Sequence, residues 1–260
     1  MAPFFRSTIK FPITNLIITS PHNEKLKEVR KLNGRRRERS RLGRFVAEGE
    51  DLLAAADAAG WEPVARLVAA GSGLQGEAVV PELLASASEL GSGTRALAIY
   101  EERWAPAATG PVCVYLHGVR DPGNIGTVLR SAQAFGAACL ALGPRSADPF
   151  SPKAVRASMG AIFEVPVVRV SEFGALPGTR LALDAGAQDV LWTSMSQMDS
   201  PTSKEPVTII IGGEREGLPD DVLIACDHVA RIPIDTHSLN AAVAATIALY
   251  ELTTRRITAA

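Results

Sequence analysis

No stretch of this 260-residue chain stays apolar for long enough to cross a membrane; every hydrophobic run is short and broken by charge or proline. Cysteine is scarce. Cys113, Cys139 and Cys226 lie far apart in the sequence with no C-x-x-C spacing, which excludes a disulfide frame or a cysteine zinc site. They predict buried thiols in a reducing cytoplasm. The four histidines, His22, His117, His228 and His237, are equally scattered, so no metal is expected. The opening residues lack the order of basic flank, apolar stretch and small-residue cleavage site that marks a signal peptide.

What is present is core-forming material. Hydrophobic residues make up 47% of the chain, much of it alanine, against 21% charged residues. That balance describes a globular chain of one large domain or two modest ones. The net charge of −1 conceals an asymmetry. Residues 1–44 carry 12 Lys and Arg against three acids, so the remainder is acidic. The run "GRRRERSRLGR" concentrates positive charge, and a polyanion such as nucleic acid is the usual partner of such a segment. A solvated charged helix is the plainer alternative.

Residues 1–15 read as a leader. "SPHNEKLKEVRKL" predicts a short basic helix with a Ser20 cap and Leu26, Val29 and Leu32 on one face. A brief strand, an amphipathic helix ending at Gly60, and the strands "VARLVAA" and "RALAIY" around the helix "PELLASASEL" complete a small α/β module over 16–104. Residues 105–111, within "EERWAPAATGP", read as a linker. From 112 to 258 strands are expected at 112–116, 138–142, 164–170, 180–184, 207–212 and 228–234. Helices are expected near 125–135, 152–159, 218–226 and 238–256. This alternation implies a parallel sheet covered on both faces.

Three clusters stand out in this second half. "RDPGNIGTVLRSAQAFGA" follows a strand, with Asn124 between Gly123 and Gly126, and Arg130 one and a half helical turns later. The glycines fit tight-turn geometry, Asn124 fits a helix cap and Arg130 fits a solvated surface, so this stretch alone decides nothing. In "IIIGGEREGLPDDV" a buried strand runs into Gly212, Gly213 and Glu214, at the sheet edge where ligands of α/β proteins collect. In "RIPIDTHSLNAAVAATIALYELTTRR" Ser238 is placed as the cap of a long helix. Leu239, Val243, Ile247 and Tyr250 line one face of that helix, and Asn240 stands in its first turn.

Taken in order, "DPGNIGTVLRSAQAFG", "IIIGGEREGL" and "IPI…SLNAAVAATIALYE" resemble motifs one, two and three of the SpoU (TrmH) branch of the SPOUT RNA methyltransferases. "SPKAVRASMGAIFEVPV" resembles the segment between motifs one and two. "ITSPHNEKLKEVRKL…RFVAEGEDLL" is similar to the L30e-like substrate-binding domain that precedes many of these enzymes. The resemblance covers about residues 16–258. It implies a parallel α/β sheet ending in a trefoil knot, a homodimer, and S-adenosyl-L-methionine as methyl donor to a ribose 2′-hydroxyl in RNA. Ribosomal RNA, in particular 23S, is favoured because the two-domain arrangement resembles large-subunit enzymes, including the thiostrepton-resistance type. A tRNA target, or a catalytically silent RNA-binding protein on the same fold, is the alternative.

By motif position the resemblance assigns the polar constellation to Asn124, Arg130, Glu214, Ser238 and Asn240. It assigns the cofactor to backbone near Gly212, Gly213, Ile232 and Leu239. The turn "DTH" before Ser238 is about two residues shorter than the family's usual one. Lys25, Arg35, Arg36, Arg37, Arg39 and Arg41 are the candidates for phosphate contact. Methyl transfer from a sulfonium is an in-line displacement, so the protein must align a ribose oxygen and help remove its proton. A guanidinium stays protonated at any working pH. Arg130 is therefore expected to stabilise the developing alkoxide and grip a phosphate, with Asn124 fixing the ribose.

Overall fold

The computed structural model describes residues 17–198 and 205–258, with side chains over 17–196 and 205–254. The expected leader, residues 1–15, lies outside this range. The chain first forms helix α1 (Glu24–Gly34), helix α2 (Arg36–Leu42), strand β1 (Arg44–Glu48), helix α3 (Glu50–Ala58), strands β2 (Ala65–Ala69) and β3 (Glu77–Val79), helix α4 (Pro81–Ala87) and strand β4 (Ala96–Glu101). Their strands make a four-stranded sheet in the order β1-β4-β2-β3, with only β2 and β3 parallel. Leu26, Val29 and Leu32 face its core as their spacing predicts. The cap of α1 is Asn23, whose side chain accepts from the Lys25 N–H at 2.9 Å, and not Ser20. Asn23 wins because it directly precedes the first residue free to turn, whereas Pro21 already belongs to the preceding turn. The arginine-rich run is itself a helix, α2, closed by Gly43 at φ 62°.

The second unit continues through β5 (Val112–His117), α5 (Pro122–Ala134), β6 (Cys139–Leu142), α6 (Pro152–Ser158), β7 (Val167–Arg169), β8 (Thr179–Leu183), α7 (Leu191–Met198), β9 (Val207–Gly212), α8 (Asp220–Ile224), β10 (His228–Ala230) and α9 (Ala241–Thr258). Six strands pair in parallel in the order β10-β8-β9-β5-β6-β7. Each strand of such a sheet is buried on both faces, which explains runs like "VTIII". Val112, Val114 and Leu116 face the side covered by α5 and α9; Cys113 and Tyr115 face the opposite one. Cys113 and Cys139, distant in sequence, are register partners whose Sγ atoms lie 2.8 Å apart, both buried.

The last segment departs from expectation in three ways. The strand expected at 228–234 ends at Ala230, because Pro233 has no N–H to give a ladder and the chain leaves the sheet. From this edge strand it returns to lay α9 on α5 and β9, the path on which the resemblance places the knot. Helix α9 then starts three residues later than expected, capped by Asn240 rather than Ser238: Asn240 Oδ1 accepts from the N–H groups of Ala242 (2.9 Å) and Val243 (3.3 Å). Its core face is also the other one. Ala241, Ala242, Ala245, Ala248, Leu249 and Leu252 are buried, while Val243 and Tyr250 are 45% and 55% exposed. Small side chains let α9 close on α5, so Val243 and Tyr250 turn outward while Ile247 of the same stripe packs at the edge of the core.

The two units share one core. Phe45, Trp61 and Tyr100 of the first pack against Phe150 and Phe163 of the second, with ring centroids 4.9 Å apart for Phe45–Phe150 and 5.2 Å for both Trp61–Phe163 and Tyr100–Phe163. The indole of Trp61 donates to the Phe163 carbonyl at 2.8 Å. Arg39 of α2 is buried, its Nε 2.8 Å from Asp148 Oδ2. Burial removes Arg39 from any surface that RNA could reach, so its expected role as a phosphate contact gives way to a structural one. The segment 105–111 packs too: Ala105 donates to the Val167 carbonyl at 2.8 Å, and Ala108 is buried.

Candidate active site at the carboxyl edge of the sheet

Asp121 begins the site. Its side chain accepts from the Gly123 N–H at 2.8 Å, capping α5, with Pro122 at the first helical position. The Lys153 ammonium, 2.7 Å away, and that backbone N–H hold the Asp121 carboxyl below its ordinary range. Because Asp121 supplies the cap, Asn124 is spared that task and its amide is free to reach outward. Gly126 serves packing: a Cβ there would stand 2.3 Å from the Ala154 carbonyl and 2.6 Å from the Ala157 Cβ, so α5 and α6 can approach only with glycine at this position.

The three sequence clusters meet through amides. Asn240 Nδ2 donates to Asn124 Oδ1 at 3.0 Å, and Asn124 Nδ2 donates to Glu214 Oε1. With Asn240 Oδ1 already taken by two backbone N–H groups, each amide in the series has one orientation. Asn240, Asn124 and Glu214, up to 116 residues apart, thus form a single relay at the carboxyl ends of β5 and β9, with Asn124 half-buried and Glu214 and Asn240 exposed. Glu214 rides on a loop that folds back on itself, with Gly217 donating to the Gly213 carbonyl at 2.9 Å. A Cβ at Gly212 would strike Gly217, and one at Gly213 would strike the Gly118 carbonyl, so both glycines are needed for the loop to close.

Arg130 is exposed and makes no hydrogen bond or ion pair among the described residues. Six residues at 100° each place it about 120° around α5 from Asn124, so the two do not share a helix face. Ser238 and His237 are exposed in the loop between β10 and α9, and no side-chain bond of Ser238 joins it to the relay. That loop is pinned at its start, where Leu191 donates to the Arg231 carbonyl and Arg231 to the Asp189 carbonyl, both at 2.9 Å. Ile232 and Leu239 stand half-buried at its two ends, flanking a loop whose backbone N–H groups make no backbone bonds among the described residues. Apolar flanks beside backbone N–H groups that make no backbone bonds are the kind of lining that could hold a nucleoside cofactor.

Of the expected phosphate contacts, Arg35, Arg36 and Arg37 are exposed without ion pairs among the described residues. Arg41 pairs with Glu38 at 2.9 Å, and Lys25 is tied to Glu77. Sequence reasoning missed Lys153 and Asp121 as partners; the helix-cap pattern "RDPG" was the only local signal for the latter. Among the described residues no group of His, Cys, Asp or Glu could hold a metal, and no helix is long and apolar enough to cross a membrane.

Residues 111–250 match the SpoU rRNA Methylase family. A 23S rRNA (uridine(2479)-2′-O)-methyltransferase of Streptomyces viridochromogenes is 32% identical over 92% of this chain and 92% of its own length. The 23S rRNA (guanosine(2553)-2′-O)-methyltransferase RlmP of Bacillus subtilis is 29% identical over 90% of this chain and 98% of its own. Among solved structures, an AdoMet-bound rRNA methyltransferase from Sinorhizobium meliloti superposes with a TM-score of 0.79 at 28% identity, covering 93% of this chain and 98% of that one.

Proposed function

The chain belongs to the SpoU rRNA methylase family, and from that premise we propose that it transfers a methyl group from S-adenosyl-L-methionine to a ribose 2′-hydroxyl of 23S rRNA. The observation that carries this reading is the relay Glu214–Asn124–Asn240, which unites three distant motifs at one sheet edge. The bound cofactor supplies an already activated methyl group, held by backbone at Gly212, Gly213, Ile232 and Leu239. The protein's own part is alignment and charge. Glu214 and Asn240 hold the Asn124 amide, which fixes the ribose. Arg130 offers its guanidinium to the negative charge that develops on the oxygen. Ser238 lies within the loop that Ile232 and Leu239 flank.

In this reading residues 16–104 grip RNA, with Arg35, Arg36 and Arg37 facing phosphates, and residues 112–258 carry out the transfer. The protein works as a homodimer. The stripe of Val243 and Tyr250 left outward on α9 is the surface a second copy would cover. Arg130, off the face of Asn124 in its own chain, would then serve the relay of the other copy. The test is incubation with labelled cofactor and separated rRNA and tRNA, followed by mapping of alkali-resistant linkages. A single resistant linkage in 23S rRNA is expected; a linkage in tRNA alone would overturn the rRNA assignment, and none at all would leave an RNA-binding protein.

A further inference from the structure

Beside the relay, the carboxyl ends of β6 and β7 open onto a cleft of about 340 Å³ that the proposed reaction does not use. Three arginines from separate parts of the chain line it: Arg36 at the start of α2, Arg145 in the loop after β6, and Arg169 at the end of β7. Among the described residues no carboxylate lines it, although Glu216 reaches Arg145 from outside. Arg169 is exposed, yet its guanidinium carbon sits 4.1 Å from the centre of the Trp104 ring. Trp104 is itself fixed, edge-on to Phe150 at 5.1 Å and donating from Nε1 to Glu102 at 2.9 Å. The guanidinium plane is therefore presented ready-made, with its outer face open.

The cleft is built by the contact between the two units. The buried Arg39–Asp148 pair pins α2 to the loop that follows β6, and this sets Arg36, one turn before Arg39, on the rim. Arg145, at φ 61°, is paired at 3.3 Å with Glu216, which Arg120 also holds at 3.0 Å. Glu216 lies two residues from Glu214, so the Arg145–Glu216–Arg120 ion pairs link the loop that carries the relay's acid to the rim of the cleft.

We propose that this cleft holds one nucleotide flanking the methylated one, its phosphate between Arg36 and Arg145 and its base stacked on Arg169. The proposal rests on the reading of the chain as an RNA methyltransferase. A cavity of this size accommodates a single nucleotide, and arginine planes stack on splayed RNA bases while binding phosphate through their edges. Lysine would supply the charge but not the plane.

The test measures RNA affinity of the full chain over a range of salt, with cofactor affinity alongside, for Arg36→Gln, Arg169→Gln and Arg169→Lys. Arg36→Gln is expected to flatten the log–log salt slope by roughly 0.7 to 0.9, one phosphate contact. Arg169→Lys is expected to keep the slope but bind RNA about tenfold more weakly, in line with the loss of one stacked base. Arg169→Gln should be no tighter than Arg169→Lys. Cofactor affinity should stay unchanged in all three. An unchanged slope in Arg36→Gln together with wild-type affinity in Arg169→Lys would overturn the proposal. So would tight binding of inorganic phosphate or UMP alone, lost in Arg36→Gln, with RNA binding unaffected. RNA binding is read without methyl transfer, so a wild-type chain that methylates nothing would sink the enzymatic reading while leaving the cleft's occupant decided by the same measurements.

Discussion

Asn240 donates to Asn124 across 3.0 Å while its oxygen caps α9, so one side chain both starts a helix and orients a second amide. The two duties can be separated. Asn240→Asp keeps the capping oxygen but has no N–H to offer Asn124. We expect the melting temperature to hold or rise and the methylation rate to fall by up to about a hundredfold, the loss of a direct donor at the reacting oxygen being the upper bound for a residue that acts through Asn124. A variant that keeps its rate would detach Asn240 from the reaction.

Asn124→Ala and Arg130→Ala should each cost on the order of 3 kcal/mol of barrier, or about a hundredfold in rate, with cofactor affinity within a few-fold. If Arg130 serves the second copy, mixing the two inactive variants under conditions that exchange subunits should restore a substantial fraction of activity, because one mixed site is then intact. No recovery from a verified mixed dimer would place Arg130 in the site of its own chain.

The basic run contains two kinds of arginine. Arg39→Ala strands Asp148 in the shared core and should destabilise the fold by about 3 to 5 kcal/mol. Arg37→Ala should leave stability alone and reduce the salt slope of RNA binding by roughly 0.7 to 0.9. Chemical denaturation and salt titration of both variants check this; a destabilised Arg37→Ala or an unaffected Arg39→Ala would reverse the assignment.

A fragment of residues 105–260 would bare Phe150 and Phe163, which are buried here against Phe45, Trp61 and Tyr100. We expect it to aggregate or melt well below the full chain in light scattering and calorimetry. A monodisperse fragment with the parent's melting temperature would show the shared aromatic core to be dispensable.

His117 is buried at the end of β5, sharing a hydrogen bond of 3.1 Å with the Tyr115 hydroxyl, and burial first, then the Arg145 charge, holds it below its ordinary value of 6.5. The unfolded chain therefore takes up this proton before the folded one as pH falls. The stability concerned is complete above about 6.5 and is lost as pH drops through the folded value. Melting temperatures between pH 7.5 and 5 should fall more steeply for the parent than for His117→Asn. Equal slopes would assign the acid loss to other groups.

Several elements were legible in the sequence because their signals are local. The strand 207–212 was fully specified by a run of β-branched residues ending in glycines, and α6 by Ser151 and Pro152, whereas α5 starts three residues before its expected position because Asp121, not Asn124, caps it. The order of the three motifs placed Asn124, Glu214 and Asn240 in one site. Local signals failed where the decision was made at a distance. Periodicity marked Val243 and Tyr250 as the core face of α9, but close approach to α5 selected the alanines instead. A run of like charges marked Arg39 as surface, yet Asp148, 109 residues away, drew it inside. Ser238 was expected as the cap because it directly precedes the apolar pattern beginning at Leu239, but asparagine caps as well as serine, and in the fold it is Asn240 whose oxygen meets the free N–H groups of Ala242 and Val243. Turn and cap chemistry lies between near neighbours and can be read from composition and spacing. Which charge is buried, and which apolar face, depends on what the folded chain brings opposite it, and only the tertiary structure decides that.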